Sequence, residues 1–90
     1  MVPAVVLKYS MKCTQYFLFV KNRSDRAAIK EEWVLETMAH PLKQEMQSDG
    51  RIRKWSYIKE VGKYLRVVLM EDGETVHNAF FDRSFKEERK

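Results

Sequence analysis

Side chains that can move protons and bind phosphate lie close together near the end of the chain. His77, Asp82 and Arg83 share one short stretch, and Arg66 belongs to the strand-like segment before it. Cleavage of RNA without a metal needs a base for the 2′-hydroxyl group, an acid for the leaving oxygen and cations for the growing phosphate charge. His77 as acid or base, with Arg66 and Arg83 on the phosphate, could supply these groups. Asp82 could orient His77 or Arg66.

The same residues also have structural explanations. His77 could be a satisfied residue of a strand, and Asp82 with Arg83 could form a salt bridge that holds the C-terminal segment. Asn78 is predicted on the core side of its strand, where its amide would have to be hydrogen bonded. Both interpretations of this cluster stay open at the level of the sequence.

A second candidate set alternates along an earlier segment, so that its members share one side of a strand. These residues are Arg51, Arg53, Trp55 and Tyr57. Cations and aromatic rings together suit single-stranded RNA, through phosphate contacts and base stacking. Tyr64 is predicted on the same face as Arg66 and would add another ring. The alternative is a half-buried strand in which Trp55 belongs to the core and the arginine stems lie along it.

Composition limits the remaining chemistry. The chain has 90 residues and a net charge of +4, with one cysteine, two histidines and three isolated glycines. This content offers no disulfide, no metal-ligand spacing and no glycine-rich phosphate loop, so no metal and no cofactor are predicted. The apolar run 2–7 is too short to span a membrane. A single cysteine fits a reducing, cytoplasmic setting.

The pattern of apolar residues predicts one strand, then one helix. Gln15–Val20 is a continuous apolar run, typical of a buried strand. Residues 27–39 carry an amphipathic pattern, with Ser24 or Asp25 as the helix cap and Pro41 fixing its end. We expect Trp33 to face the core.

Four further strands are predicted, at residues 42–47, 51–58, 64–70 and 75–81. The fold is therefore expected to be α+β, with one helix packed on a mostly antiparallel sheet of about five strands in the order β-α-β-β-β-β. The domain covers residues 15–86. Residues 1–14 form an extension, either Met1 or Met11 being the start, and residues 87–90 form a charged tail.

Turn signals fix the expected register of the two hairpins. Reading Ser48-Asp49-Gly50 as a three-residue loop pairs Glu45 with Arg53 and Met46 with Ile52. Asp72-Gly73, read as a two-residue loop, pairs three residues of one strand with three of the next, on the core face. These pairs are Leu69 with Val76, Val67 with Asn78 and Leu65 with Phe80. Arg66 and His77 then become diagonal neighbours on the opposite face.

Three segments resemble a family of short, uncharacterised prokaryotic proteins. They read Asp-Gly-Arg-Ile-Arg-Lys-Trp at 49–55, Tyr-Leu-Arg-Val-Val-Leu at 64–69 and Asp-Gly-Glu-Thr-Val-His-Asn-Ala-Phe-Phe-Asp-Arg at 72–83. More distantly, the order of a helix, a proline and a strand meander is similar to toxin domains of the RelE/ParE and BrnT kind. That resemblance implies a RelE-like fold, with basic and aromatic side chains on the sheet that hold RNA and move protons.

Two classes of function follow. The first is a toxin-like RNA-binding domain or metal-independent ribonuclease, with RNA as ligand and an antitoxin-like protein as partner. The second is a non-catalytic interaction module, or a toxin fold without activity, whose basic face binds an acidic protein partner. The segment 51–66 carries six basic residues and only one acid, Glu60, which is compatible with either class.

We expect a chain that lacks residues 1–10 to keep its fold, because that segment contributes no predicted helix or strand. Thermal unfolding followed by circular dichroism should give similar midpoints for the full and shortened chains. A collapse of thermal stability in the shortened chain would contradict this expectation.

Overall fold

The computed structural model describes residues 11–23 and 26–86. Within them the chain forms two helices and four strands, which are α1 (Gln15–Val20), α2 (Glu31–Ala39), β1 (Lys43–Met46), β2 (Ile52–Ile58), β3 (Lys63–Leu69) and β4 (Val76–Phe81). The strands make one antiparallel sheet in the order β1-β2-β3-β4. The predicted α+β class is confirmed. Residues 1–10 and 87–90 of the predicted terminal segments lie outside the described part.

Gln15–Val20 is a helix, so the predicted first strand is wrong and the sheet has four strands in the described residues. Thr14 caps this helix, because its hydroxyl oxygen accepts a hydrogen bond of 3.1 Å from the Phe17 N–H. Phe17 and Val20 lie one turn apart and are buried, whereas Phe19 is 72% exposed. A short apolar run does not distinguish a strand from a helix by periodicity, and here one helical face supplies the core contacts.

The residues before α1 run along the edge of β4. The Val76 N–H donates to the carbonyl of Lys12, and the Thr14 N–H donates to the carbonyl of Val76, both at 2.9 Å. Cys13 forms an isolated parallel bridge with Val76, and Met11 is buried in the core. This short bridge covers the start of β4 where a fifth strand would otherwise pair.

Helix α2 ends at Ala39, before His40 and Pro41, as predicted. Its start is later than predicted, since Lys30 is the residue at the N-cap and residues 26–29 make backbone turns instead. Trp33 faces the core as expected. Within the described residues, no helix is long and apolar enough to cross a membrane.

The first hairpin has the predicted register. Glu45 pairs with Arg53 and Met46 pairs with Ile52. Gly50 adopts a φ of 92°, the left-handed conformation that the three-residue loop requires. The turn chemistry therefore predicted this part of the sheet correctly.

The second hairpin begins in the predicted register and then departs from it. Leu69 pairs with Val76, but Val68 pairs with Asn78, so that His77 is an extra residue in β4. An insertion of this kind is a β-bulge, and it turns all later side chains of the strand to the opposite face.

The bulge exchanges the two faces of β4 relative to the prediction. Val67 pairs with Ala79 and Leu65 pairs with Phe81, so the predicted partners Asn78 and Phe80 are wrong. Ala79 is buried in the core, whereas Phe80 lies on the face away from the helices.

A buried pair of hydroxyl groups joins α2 to β2. Thr37 is fully buried, and its hydroxyl group donates to the carbonyl of Trp33 at 2.8 Å. The Thr37 oxygen also accepts a short hydrogen bond from the Ser56 hydroxyl group. Ser56 is the donor because the single hydroxyl hydrogen of Thr37 is already used in the bond to Trp33. Both buried hydroxyl groups are thus hydrogen bonded.

Replacing Thr37 with Val should lower the free energy of unfolding by about 1–3 kcal/mol, because the Ser56 hydroxyl is left buried without a partner. Adding Ser56→Ala should recover part of that loss, since the unpaired group is then removed. Urea unfolding of the wild type, both single variants and the double variant measures this coupling. Additive effects of the two substitutions would contradict the proposed pairing.

Candidate nucleic-acid interface

One side of the sheet faces away from both helices, and we call it the outer face. Cross-strand pairing assigns to it Lys43 and Glu45 from β1, Arg53, Trp55 and Tyr57 from β2, Tyr64, Arg66 and Val68 from β3, and Asn78 and Phe80 from β4. The predicted shared side of Arg53, Trp55 and Tyr57 is therefore confirmed, and Arg51 immediately precedes β2. Cations and aromatic rings alternate across this face.

A row of cations and rings crosses the middle of the outer face. Arg66 pairs with Trp55 on one side and with Phe80 on the other. Its guanidinium carbon lies 4.8 Å from the Phe80 ring centroid and 5.6 Å from that of Trp55. Arg53 lies 5.6 Å from the Trp55 ring, and Arg26 lies 5.3 Å from the Phe80 ring. These are cation–π distances, and they order the guanidinium groups on the sheet.

Asp82 directly follows β4 and contacts two members of this row, Trp55 and Arg66, from a buried position. Its carboxylate is buried and accepts a hydrogen bond of 2.9 Å from the Trp55 indole N–H. Ser84 donates to it through both its N–H and its hydroxyl group, at 3.0 and 2.7 Å. Arg66 Nε lies 3.3 Å away, but its N–H forms no hydrogen bond, so this contact is purely electrostatic.

Two opposing effects act on the pKa of Asp82. Burial raises the pKa, whereas the hydrogen bonds from Trp55 and Ser84 and the charge of Arg66 lower it, and the net result is a lowered pKa. Asp82 is therefore ionised at neutral pH and serves as the acceptor that holds Trp55 in place. The alternative salt bridge of Asp82 with Arg83 is not present among the described residues, and Asp82 lies beside Arg66 instead.

A groove lies where β3 and β4 end, and we call it the Tyr64 groove. Its volume is about 550 Å³, within the range of ligand pockets. Its lining combines three cations, four rings and one carboxylate, namely Arg26, Lys63, Arg83, Tyr64, Phe80, Phe81, Phe85 and Asp82.

The charges of the groove differ from those of the rest of the face. Arg53 pairs with Glu45 at 2.9 Å, and Arg51 lies 3.7 Å from Asp49, so these cations are largely compensated. Among the described residues, no carboxylate pairs with Lys63 or Arg83. Positive charge available to a ligand is thus concentrated in the groove.

His77 lies outside this groove, at the bulge. Its Nδ1 is 3.1 Å from the Thr14 hydroxyl, and its ring stacks on Tyr16 with centroids 4.9 Å apart. Burial and then the charge of Arg51 lower the pKa of His77, while Asp49 opposes this, so the ring is neutral at pH 7.

The predicted diagonal contact of Arg66 with His77 is wrong, since Arg66 pairs with Phe80, further along β4. The predicted catalytic set is therefore divided. Asp82 and Arg83 line the Tyr64 groove and Arg66 lies beside Asp82, whereas His77 contacts the start of α1.

Three groove residues were missed by the sequence reasoning. Phe80 was assigned to the core, because no signal in the sequence marks the bulge. Lys63 was treated only as part of a basic segment, since no sequence pattern shows that its Nζ lies 5.2 Å from the Phe81 ring centroid. Phe85 follows the last strand and carries no local pattern.

Tyr57 and Tyr64 complete the predicted nucleic-acid-binding set. Their ring centroids lie 5.1 Å apart, and Tyr57 is 49% exposed. Trp55, by contrast, is 5% exposed, because the ring of Phe85 covers it. Tyr57 and Tyr64 thus extend the aromatic surface beside the groove, and Trp55 lies beneath it.

Comparisons with known proteins found no match to this chain among protein-family models, curated proteins or solved structures. Its functional interpretation therefore depends on the geometry of the outer face and the Tyr64 groove.

Replacing Asp82 with Asn should lower the free energy of unfolding at pH 7, because the charge that attracts Arg66 is lost. A carboxylate with a lowered folded pKa stabilises the fold above its ordinary pKa near 4, and this contribution disappears as pH falls through the folded pKa. The difference between wild type and Asp82→Asn in urea unfolding should therefore shrink below about pH 4. Glu60→Gln, at an exposed position, is the matched control. An equal effect of both substitutions would argue against the role of Asp82.

Proposed function

We propose that the protein binds single-stranded RNA in the Tyr64 groove and along the adjoining outer face. The observation that carries this proposal is the lining of the groove, where Lys63 and Arg83, which pair with no carboxylate among the described residues, lie beside the rings of Tyr64 and Phe80. Phosphate groups need the cations, and unstacked bases need flat aromatic surfaces. Single-stranded nucleic acid is the ligand class that uses both, and the resemblance to RelE/ParE and BrnT toxin domains favours RNA.

The proposal keeps the substrate class and the RelE-like fold implied by the resemblance to RelE/ParE and BrnT toxin domains, and the cytoplasmic setting inferred from the single cysteine. It commits to binding rather than cleavage, since the His77 ring lies at the bulge and contacts Thr14 and Tyr16. A ribonuclease would need an acid and a base beside the bound phosphate. An antitoxin-like protein would then be a partner that covers the same groove.

Replacing Lys63 or Arg83 with Ala should weaken binding of a fluorescein-labelled oligouridylate. Each substitution removes one phosphate contact, which should reduce the slope of log affinity against log salt by about 0.7. Fluorescence anisotropy at several salt concentrations measures both effects. Lys12→Ala is the charge-matched control, because Lys12 lies at the opposite end of β4 and pairs with Glu74 at 3.0 Å.

An acidic protein partner is the competing ligand, and it would use the cations without needing the rings. Tyr64→Leu keeps the charge and size of the groove approximately but removes the flat ring. If RNA is the ligand, this variant should bind the oligouridylate more weakly and an acidic peptide such as oligoglutamate unchanged. Absence of RNA binding by the wild type at low salt would overturn the proposal and leave the acidic partner.

A further inference from the structure

We propose that Trp55 is a second nucleobase-stacking site, which Phe85 occupies in the free protein. This inference rests on the proposed RNA binding and extends it by one named site. A base of the bound strand replaces the Phe85 ring on the indole.

Trp55 is covered by another aromatic ring and not by a helix. Its side chain projects from the outer face, where neither helix can cover it, and yet it is only 5% exposed. The Phe85 ring lies over it with centroids 5.1 Å apart and an angle of 18° between the planes. Near-parallel stacking at this distance is the arrangement that a nucleobase adopts on an aromatic side chain.

Charged side chains surround the indole of Trp55. A shallow pocket of about 250 Å³ lies above Trp55, and its lining includes Lys43, Arg53, Arg66 and Lys86. Glu45 pairs with Lys43 at 3.3 Å and with Arg53 at 2.9 Å, and Asp82 compensates Arg66. Among the described residues, Lys86 is the lining cation that pairs with no carboxylate. A nucleotide stacked on Trp55 therefore finds Lys86 beside the base for its phosphate.

Phe85 is held mainly by ring contacts and by one weak hydrogen bond. Its ring stacks on Trp55 and lies 5.0 Å, centroid to centroid, from that of Tyr64. Its N–H makes a long hydrogen bond of 3.4 Å to the carbonyl of Asp82. The anchoring bonds of this turn are those between Asp82 and Ser84, so Phe85 can move while Asp82 continues to hold the indole.

The contact of Phe85 with Tyr64 joins the two sites. Because the same ring touches Trp55 and Tyr64, its displacement exposes both rings at once. A single strand can then place one base on Tyr64 in the groove and a neighbouring base on Trp55. Phe85 thus separates two stacking positions until RNA binds.

The test compares RNA binding by Phe85→Ala with that by the wild type. We expect the variant to bind an oligouridylate of about twelve nucleotides at least about fivefold more tightly, since a base no longer has to displace a stacked ring. Phe19→Ala is the matched control, because Phe19 is an exposed phenylalanine on α1, far from this face in the sheet topology. Near-UV circular dichroism verifies that each variant is folded. If Phe85→Ala unfolds, Phe85→Leu replaces it in the binding measurement, because leucine keeps an apolar cover on Trp55 without a flat ring.

Fluorescence identifies the site directly. The chain has two tryptophans, so Trp33→Phe leaves Trp55 as the only indole. Oligouridylate should quench Trp55 emission, and more strongly when Phe85 is also replaced. Equal or weaker binding by the folded Phe85 variants, or no quenching, would overturn this inference while RNA binding by the wild type stands. Absence of binding by the wild type and the variants alike would instead overturn the proposed function and this site with it.

Discussion

The β-bulge at His77 determines the two faces of the sheet. By inserting one residue after Val76, it directs Ala79 into the core and Phe80 to the outer face. Without it, Phe80 would point toward the helices and Arg66 would lose one of the two rings that hold its guanidinium group. The bulge also brings His77 to Thr14 at the start of α1, so that the same irregularity connects the sheet to the helix.

Asp82 then organises what the bulge places on the outer face. A buried carboxylate is costly unless it is hydrogen bonded, and here the indole of Trp55 and both donors of Ser84 satisfy it. These bonds fix the direction in which the chain leaves β4 and bring Phe85 over the indole. The charge of Arg66 compensates the carboxylate, which is why this arginine belongs to the framework of the face.

The distribution of charge separates the cations that stabilise the outer face from those of the proposed RNA site. Arg51, Arg53 and Arg66 each lie beside an acidic residue, whereas Lys63 and Arg83 lack such partners among the described residues. A face whose cations are mostly paired attracts a polyanion weakly through net charge alone, so the proposed RNA binding depends on local stacking for much of its affinity and its selectivity for single strands. The two proposed stacking positions, on Tyr64 and Trp55, meet that requirement.

The sequence by itself determined the α+β class, the end of α2 before Pro41 and the register of the first hairpin, because these depend on local turn and cap chemistry. It also placed Arg53 and Trp55 on the same face of the sheet, because the alternation of side chains along a regular strand is a local property. Only the tertiary structure decided that Gln15–Val20 is a helix and that His77 is an extra residue in β4. Both depend on which surfaces remain to be covered once the sheet has formed, and that information is spread over residues distant in sequence.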